Sequence, residues 1–452
     1  MSTETDPADD MLLEAALRLA RDTRRLVIGA GSRRDVGDVF AELFGDAPCI
    51  IVADENTFPA AGRDVYDSLR QTRRTVHEPL ILESEGLYAE YSHVTRIQNA
   101  LAASDAIPIA VGAGSINDLT KLAAHLCGRP YMVVATAASM DGYTAFGASI
   151  THEGSKQTFD CPAPLGVVAD LDVIAAAPEG LNASGYADLV AKCPAGADWI
   201  LADGLGIDPI DEANWQMVQS HLRHWMSDAD GIRRRDHEAL RRLTTALMIT
   251  GFAMQAACSS RPVSGAEHQF SHLWDMEHHK FRGATLSHGF KVGIGSLASV
   301  ALYEVLLDTD VANLDVEAAA NAWPDSAANE REIAELFPSA ELERKAILES
   351  GLKHVDRDAL RAQLQLLKQE WPRIKQRLHG QLIPHDEIKQ MLHAAGCPVE
   401  PEQIGISRER LRASYRKAYH IRRRFTIFDV VRRANLWEPA LDKVFAGGKL
   451  IA

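Results

Sequence analysis

The chain contains little cysteine, and the cysteines it has follow no recognisable spacing. Six are scattered over 452 residues without a Cys-x2-Cys pair. Long cytosolic chains rarely use disulfides, so we interpret these side chains as reduced thiols. Their distribution predicts a cytoplasmic protein.

An excess of positive charge is also lacking. The net charge is −14 and the sequence pI is about 5.7, which argues against a nucleic-acid partner. The basic run Arg422-Arg423-Arg424 lies between Ile421 and Phe425. We interpret it as a solvated helix face, the usual setting of such a run.

Long apolar runs are absent as well. None approaches the roughly 20 residues that a membrane span requires, so no membrane partner is expected. Residues 1–10 are acidic and polar, unlike a secretory signal, and are expected to form a frayed tail. A chain of 452 residues is too long for one comfortable core and predicts at least two domains.

Strand-like alternation nearly vanishes after the first 178 residues. Before that point, apolar strands alternate with amphipathic helices, which predicts a mostly parallel sheet covered on both faces. The turn-rich residues 178–186 mark the expected boundary, and helical periodicity dominates beyond them. The sequence therefore predicts an α/β, Rossmann-like domain over 1–178, followed by an all-helical domain over 179–452.

A glycine turn follows the predicted strand at residues 107–111. Gly112 and Gly114 let the backbone approach a phosphate, and the following helix supplies N–H donors and a positive dipole. The alternative is a plain turn before a helix that Ser115 and Asp118 close as a capping box. The full Gly-x-Gly-x-x-Gly spacing is absent, so an ordinary Rossmann dehydrogenase is not the expected match. The strand-turn-helix context still favours phosphate binding.

Two other strand ends carry candidate ligand contacts. Asp54 closes the strand at residues 49–53, where a carboxylate can bind a ribose diol; the alternative is a helix N-terminal carboxylate. Thr136-Ala137-Ala138-Ser139 follows the strand at residues 131–135. Small hydroxylated residues at the carboxyl end of a strand lie where α/β sheets bind ligands.

The helical half offers candidate metal ligands. His268 and His272 are four residues apart, so on a helix they share one face. That spacing suits a divalent metal, or one metal ligand beside a substrate contact. His288 opens the loop-like stretch at 287–289, and Asp188 is expected in the first turns of a helix. The alternative interpretation of Asp188 is a carboxylate that complements the helix dipole.

Together these stretches resemble the bacterial branch of the sn-glycerol-1-phosphate dehydrogenase family, which is related to glycerol dehydrogenase, iron-containing alcohol dehydrogenases and dehydroquinate synthase. The resemblance covers nearly the whole chain and rests on motifs in the family's order. They are Gly112-Ala113-Gly114-Ser115-Ile116-Asn117-Asp118, Thr136-Ala137-Ala138-Ser139-Met140-Asp141-Gly142, Ser184-Gly185-Tyr186-Ala187-Asp188-Leu189, Arg261-Pro262-Val263-Ser264-Gly265-Ala266-Glu267-His268, Ser287-His288-Gly289 and Ile421-Arg422-Arg423-Arg424-Phe425-Thr426-Ile427-Phe428-Asp429.

The resemblance implies a dehydroquinate synthase-like fold and a catalytic divalent metal, Zn, Ni or Fe, bound by Asp188, His268 and His288. It implies that the dinucleotide contacts Gly114, Ser115, Ile116, Asn117 and Asp118 together with Thr136, Ala137, Ala138 and Ser139. Asp141, Asp188 and His272 are implied as substrate-binding residues, and bacterial relatives suggest a homodimer. Two departures are Ala113, where the family often has glycine, and Ala145, where it usually has a serine near the nicotinamide.

The expected reaction is the NAD-linked reduction of dihydroxyacetone phosphate to sn-glycerol 1-phosphate, with the metal polarising the carbonyl. Asp54 favours NAD over NADP, because a carboxylate repels a 2′-phosphate. Candidate phosphate contacts are Lys192, Arg261 and Arg282. Three alternatives stay open: a dehydrogenase of an unphosphorylated polyol or specialised metabolite, a dehydroquinate synthase-type lyase, and a non-catalytic nucleotide-binding protein.

Overall fold

Six strands pair in parallel into one sheet in the computed structural model, which describes residues 7–71, 73–153 and 155–446. They are β1 (Arg25–Gly29), β2 (Cys49–Asp54), β3 (Leu80–Leu82), β4 (Ile107–Gly112), β5 (Met132–Ala135) and β8 (Gly166–Asp170). The order across the sheet is β1-β8-β5-β4-β2-β3. Two antiparallel hairpins lie outside it: β6 (Ala148–His152) with β7 (Ser155–Phe159), and β9 (Lys280–Phe281) with β10 (Ala284–Thr285).

Helices cover both faces of this sheet, as the alternation of strands and helices predicts. The helices of this half are α1 (Pro7–Leu19), α2 (Val36–Phe44), α3 (Arg63–Arg70), α4 (Tyr91–Ala102), α5 (Gly114–Leu126) and α6 (Leu171–Ala176). Successive residues of β4 point to opposite faces. Ile109 and Val111 pack with Phe40 and Val65 in one core, whereas Ala110 belongs to a second core that continues into the helical half.

The second half consists almost entirely of helices. They are α7 (Glu179–Val190), α8 (Lys192–Gly204), α9 (Glu212–Gln219), α10 (Leu222–Trp225), α11 (Ala229–Arg234), α12 (His237–Ala257), α13 (Ala266–Met276), α14 (His288–Leu307), α15 (Val316–Ala322), α16 (Ser326–Leu336), α17 (Ala340–Gly351), α18 (Arg357–Gln381), α19 (His385–Ala394), α20 (Arg408–His420), α21 (Ile427–Arg433) and α22 (Trp437–Ala446). The predicted fold class, a Rossmann-like α/β half followed by helices, is confirmed. The division at residues 178 and 179 stays a prediction.

Several local predictions are wrong. The turn-rich stretch at 178–186 is mostly the first half of α7, so Asp188 lies in the last turn of that helix rather than the first. The apolar pattern at 165–174 predicts a single strand broken by Asp170 and Asp172. The segment is instead strand β8 followed by helix α6, because the Asp170 carboxylate accepts hydrogen bonds from the first helical N–H groups.

The N-terminal helix α1 packs against the helical half. Asp10 accepts a hydrogen bond from Arg241 at 2.6 Å, and Asp9 accepts one from the Trp225 indole at 3.1 Å. The prediction of a frayed tail is therefore wrong for residues 7–10, and its first six residues lie outside the described part of the chain. These contacts join the first segment of the sequence to the second half of the fold.

Helix α14 is buried on nearly every side. Within the described residues it is the one helix long and apolar enough to cross a membrane, but 83% of its most apolar window is buried inside the fold. The expectation that no apolar segment approaches the roughly 20 residues of a membrane span is therefore wrong for α14. A helix that is apolar all round fits the centre of a large core, and α14 packs against α7 and α13.

Candidate metal and dinucleotide site

Three helix ends bring Asp188, His268 and His288 together. Asp188 lies in the last turn of α7, His268 in the first turn of α13, and His288 is the first residue of α14. One ligand atom of each lies within 4.8 Å of the others. Nε2 of His268 is 3.6 Å from Oδ1 of Asp188, and the rings of His268 and His288 are 5.2 Å apart between centroids. One carboxylate and two imidazoles form a donor set that fits a divalent metal.

A carboxylate behind His268 orients its ring. Nδ1 of His268 lies 2.8 Å from Oε1 of Glu267, so the ring donates from Nδ1 and turns Nε2 toward Asp188. Metal-binding histidines are commonly fixed by a carboxylate in this way. Glu267 is fully buried, and its Oε1 also accepts a hydrogen bond from the Gly265 N–H at 2.6 Å. Sequence reasoning missed Glu267, although its position directly before His268 was visible in the motif.

Lys192 lies between two carboxylates of the site. Its Nζ is 2.6 Å from Asp188 and 2.7 Å from Asp141, and the lysine is fully buried. The backbone N–H of Asp141 also donates to Oδ2 of Asp188 at 3.1 Å. Lys192 therefore holds these two acids together rather than standing free as the predicted phosphate contact. Its spacing of four residues from Asp188 was the available signal.

Burial and charge separate the pKa values of the site. Burial raises the pKa of Asp141, and the charge of Asp188 raises it further. Burial also opposes ionisation of Asp188, but Lys192, His268 and His288 together outweigh it and lower the pKa of that carboxyl. Burial lowers the pKa of His288 to about 3. His288 and Asp188 thus have the protonation states that metal binding requires. At His268, burial opposes protonation, but the hydrogen bonds of Asp188 and Glu267 outweigh it and raise the pKa.

His272 lies one turn beyond His268 and is not one of the three clustered donors. Its ring centroid is 6.3 Å from that of His268, and it lines a cavity of about 810 Å³. Burial lowers the pKa of His272 well below its usual value, and the charge of Arg422 lowers it further. A neutral ring at the cavity wall is compatible with the predicted substrate contact, which stays a prediction.

The predicted dinucleotide residues lie at one edge of the sheet. Strands β5, β4 and β2 are neighbours, so Thr136, Gly112 and Asp54 end side by side. A Cβ on Gly112 would lie 2.5 Å from the Cβ of Ile116, and one on Gly114 would lie 2.8 Å from the Met140 side chain. Gly112 is therefore packed too tightly for a larger residue, whereas at Gly114 the flexible end of Met140 would have to move. Such a turn at the start of a helix can bind a phosphate through backbone N–H groups.

Side chains behind this turn are bonded within the protein. Asp118 accepts hydrogen bonds from the Ser149 N–H and the Asn117 amide, at 3.1 and 3.0 Å. Asn117 in turn accepts one from the Tyr131 hydroxyl at 3.1 Å. The predicted capping box is wrong, because the start of α5 has no side-chain cap. Asn117 and Asp118 thus link the start of α5 to Tyr131 and to strand β6.

Asp54 and the segment that follows β5 are similarly engaged. Oδ1 of Asp54 accepts hydrogen bonds from two N–H groups of its own loop, both at 2.8 Å. The Ala138 N–H donates to Asn182 at 3.0 Å, and Ser184 donates to the Ser139 carbonyl at 3.2 Å. Asn182 and Ser184 belong to α7, so the segment from Thr136 to Ser139 is fixed to the helix that carries Asp188.

Close packing at Gly289 sets the position of His288. A Cβ at this glycine would lie 1.8 Å from the Ser184 carbonyl oxygen. Gly289→Ala should therefore push the start of α14 away from α7, lowering the free energy of unfolding by about 1–3 kcal/mol and weakening metal binding. Chemical denaturation and a metal titration measure the two effects. Gly380→Ala is the matched control, since no atom lies within 4 Å of its Cβ position; a loss of stability and metal affinity in both variants would contradict the packing argument.

The basic run Arg422-Arg423-Arg424 lies in the loop between α20 and α21 and lines the same cavity as His272. The prediction of a solvated helix face is therefore wrong. Arg261 lines the cavity too, but pairs with Asp208 at 2.9 Å. Arg282 lies in the exposed β9–β10 hairpin, away from the cavity lining. Two of the three predicted phosphate contacts, Lys192 and Arg282, are thus poorly placed for that role.

The matching family model and two similar curated relatives are all described as dehydrogenases. The sequence profile of the family "Iron-containing alcohol dehydrogenase" matches residues 27–178. The chain is 37% identical to a glycerol-1-phosphate dehydrogenase [NAD(P)+] of Halalkalibacterium halodurans over 56% of this chain and 64% of that relative. It is 30% identical to one of Geobacillus stearothermophilus over 83% of this chain and 84% of the relative.

Solved structures share the fold at low sequence identity. A probable glycerol dehydrogenase of Sinorhizobium meliloti aligns with a TM-score of 0.58 at 16% identity, covering 94% of this chain and 98% of that one. Glycerol dehydrogenase of Schizosaccharomyces pombe aligns with a TM-score of 0.59 at 16% identity, covering 95% and 92%. These alignments support the two-part architecture over nearly the whole chain.

Proposed function

The chain belongs to the glycerol-1-phosphate dehydrogenase family, and from that premise we propose that it is a metal-dependent, NAD(P)-linked dehydrogenase that reduces dihydroxyacetone phosphate to sn-glycerol 1-phosphate. The observation that carries the proposal is the cluster of Asp188, His268 and His288. This cluster is fixed to the dinucleotide edge of the sheet, because α7 both carries Asp188 and bonds the segment after β5.

Each residue of the cluster has a part in the reaction. A divalent metal held by the three donors supplies a Lewis acid for the negative charge that develops on the carbonyl oxygen. Glu267 keeps Nε2 of His268 directed at the cluster, and Lys192 keeps Asp188 ionised and in position. His272, neutral at the cavity wall, relays a proton to the developing hydroxyl, directly or through water, by accepting a proton at one ring nitrogen while donating from the other.

The edge of the sheet holds the dinucleotide. The backbone N–H groups of the turn at Gly114 and Ser115 bind its pyrophosphate, and the tight packing of Gly112 on Ile116 keeps that turn in place. Asp54 adjoins the ribose and favours NAD over NADP, because its carboxylate repels a 2′-phosphate. A homodimer and a cytoplasmic location belong to the same proposal.

Basic side chains in the cavity favour a phosphorylated substrate over a neutral polyol. Eight basic residues line its wall against two carboxylates. A site built to bind a charged group discriminates strongly against an analogue without that group, since its polar groups are then left unpaired. Dihydroxyacetone phosphate therefore fits the cavity better than dihydroxyacetone.

A comparison of these two ketones tests the proposal. NADH oxidation by the metal-loaded protein should show a kcat/KM at least about 100-fold higher with the phosphate, by the same discrimination. Chromatography of the product identifies sn-glycerol 1-phosphate. Equal or faster turnover of dihydroxyacetone would support the polyol dehydrogenase instead. A protein that turns over neither ketone, but cyclises a phosphorylated sugar acid without net NADH consumption, would be the lyase.

A further inference from the structure

The cavity beside His272 is much more basic than the chain around it. The chain as a whole carries a net charge of −14, yet the carboxylates of the cavity wall are only Asp208 and Glu349. The eight basic residues of the wall are Lys156, Arg261, Lys345, Lys353, Arg422, Arg423, Arg424 and Arg433. An excess of positive charge in a partly enclosed cavity attracts an anion.

Ion pairs within the protein account for half of this basic set. The pairs are Lys156 with Asp275 at 3.0 Å, Arg261 with Asp208 at 2.9 Å, Lys353 with Asp429 at 3.2 Å and Arg423 with Glu349 at 3.0 Å. Arg424 and Arg433 donate instead to backbone carbonyl oxygens. The charges of the four ion-paired residues are therefore already compensated. The guanidinium groups of Arg424 and Arg433 are held in place by their hydrogen bonds.

Arg422 and Lys345 differ from the others. The side-chain hydrogen bond of Arg422 in the described structure is a long one, 3.4 Å to the Ser264 hydroxyl, and neither residue forms an ion pair there. Both are partly buried, on a loop and on α17 respectively. Burial lowers the pKa of Lys345, the charge of Glu349 opposes this, and the charge of the nearby Arg422 lowers it further. Glu349, which already pairs with Arg423, is the carboxylate whose charge reaches both cations. An anion bound between Arg422 and Lys345 would add the direct contact that neither side chain has.

The loop that carries Arg422 is held firmly against the start of α13. Arg261 donates to the Phe425 carbonyl at 3.1 Å, and Arg424 donates back to the Ser260 carbonyl at 3.2 Å. Asp198 accepts hydrogen bonds from the Ala266 and Ile427 N–H groups, at 2.6 and 2.7 Å, and so joins α13 to α21. Arg422 is therefore fixed beside the helix of His268 and His272, and little ordering is needed when a ligand binds.

We propose that Arg422 and Lys345 form the subsite for the phosphate group of the substrate, with its carbonyl directed at Asp188, His268 and His288. This inference rests on the proposed function and adds the residues that determine its specificity. Arg422 offers a planar set of donors that can bind two phosphate oxygens at once, and Lys345 adds a point charge. Arg423, whose side chain is 61% exposed and paired with Glu349, lies outside the subsite.

Steady-state kinetics test the subsite. Arg422→Gln should raise the KM for dihydroxyacetone phosphate about 10- to 100-fold, the expected loss for hydrogen bonds to a charged group. The kcat/KM ratio of dihydroxyacetone phosphate to dihydroxyacetone should fall by the same factor. Arg422→Lys should recover part of the loss. Arg344→Gln is the matched control and should leave the ratio unchanged, because Arg344 lies on α17 beside Lys345 but is exposed and outside the cavity wall.

A binding measurement separates this inference from the proposed function. Inorganic phosphate should raise the Tm of the wild-type protein, and Arg422→Gln and Lys345→Met should each reduce that rise. The side chain of Lys345 forms no hydrogen bond in the described structure. Its variant should therefore fold even where the Arg422 variants do not. Phosphate binding that depends on both residues supports the subsite even if dihydroxyacetone phosphate is not turned over. Equal phosphate binding in wild type and both variants, or loss of turnover with both ketones alike, overturns it.

Discussion

Replacement of His268 by alanine should lower kcat/KM by about 10³-fold or more and release the bound metal. His268 contributes one of three clustered donor atoms, and Glu267 orients its ring toward them. Two donors hold a divalent ion far more weakly than three, and the Lewis acid contributes several kcal/mol to the stabilisation of developing charge. NAD binding should be largely retained, because His268 contacts Glu267 and Asp188 rather than the glycine turn.

Three measurements check this expectation. Elemental analysis should find about one divalent ion per chain in the wild-type protein and much less in the variant. Titration with NADH should give similar affinities, and the kinetic assay should give the loss of turnover. His379→Ala is the control, since His379 is exposed on α18. Near-normal activity of the His268 variant, or an active wild-type protein free of metal, would contradict the assignment of the cluster.

The sheet was the part of the fold that local pattern predicted best. Strands β2, β4 and β5 and the glycine turn after β4 lie where the apolar runs and turn residues indicated. Those runs are short and apolar, so local sequence determines them almost alone. The helix boundaries around residue 180 were harder, because small and polar residues there signal turns. Gly185 does not mark a turn. It allows α7 to approach the segment after β5, since a Cβ there would lie 1.9 Å from the Ala138 carbonyl oxygen.

Roles that depend on distant partners were beyond local reasoning. Asp188 entered the predicted metal site through the family resemblance, whereas its local pattern favoured a helix start. Lys192 was predicted as a candidate phosphate contact. In the structure it pairs with Asp141, which lies 51 positions earlier in the chain. Arg422 looked like a surface residue because its cavity is built from segments far apart in the chain. Charge and spacing identified these residues as candidates, but only tertiary contacts define their surroundings.

Lys192→Met should lower the free energy of unfolding of the metal-free protein by about 3–5 kcal/mol, the usual loss when one partner of a buried ion pair is removed. Lys192, Asp141 and Asp188 are all at least nine-tenths buried, and the lysine is the cation between the two acids. Without it, two carboxylates face each other with one backbone N–H between them. Burial and like charge then both oppose their ionisation.

Chemical denaturation with and without a divalent metal measures this effect and its origin. The loss should be smaller with saturating metal, because a bound cation replaces part of the missing charge and stabilises the folded state by mass action. Adding Asp141→Asn to Lys192→Met should recover part of the stability, since the two changes act on one contact and are not additive. Lys389→Met is the matched control: this lysine pairs with Glu400 near the surface, where such pairs contribute about 0–1 kcal/mol. Equal losses of unfolding free energy in Lys192→Met and Lys389→Met would contradict this account. Only the buried contact of Lys192 with Asp141 and Asp188 makes its replacement more destabilising than that of Lys389.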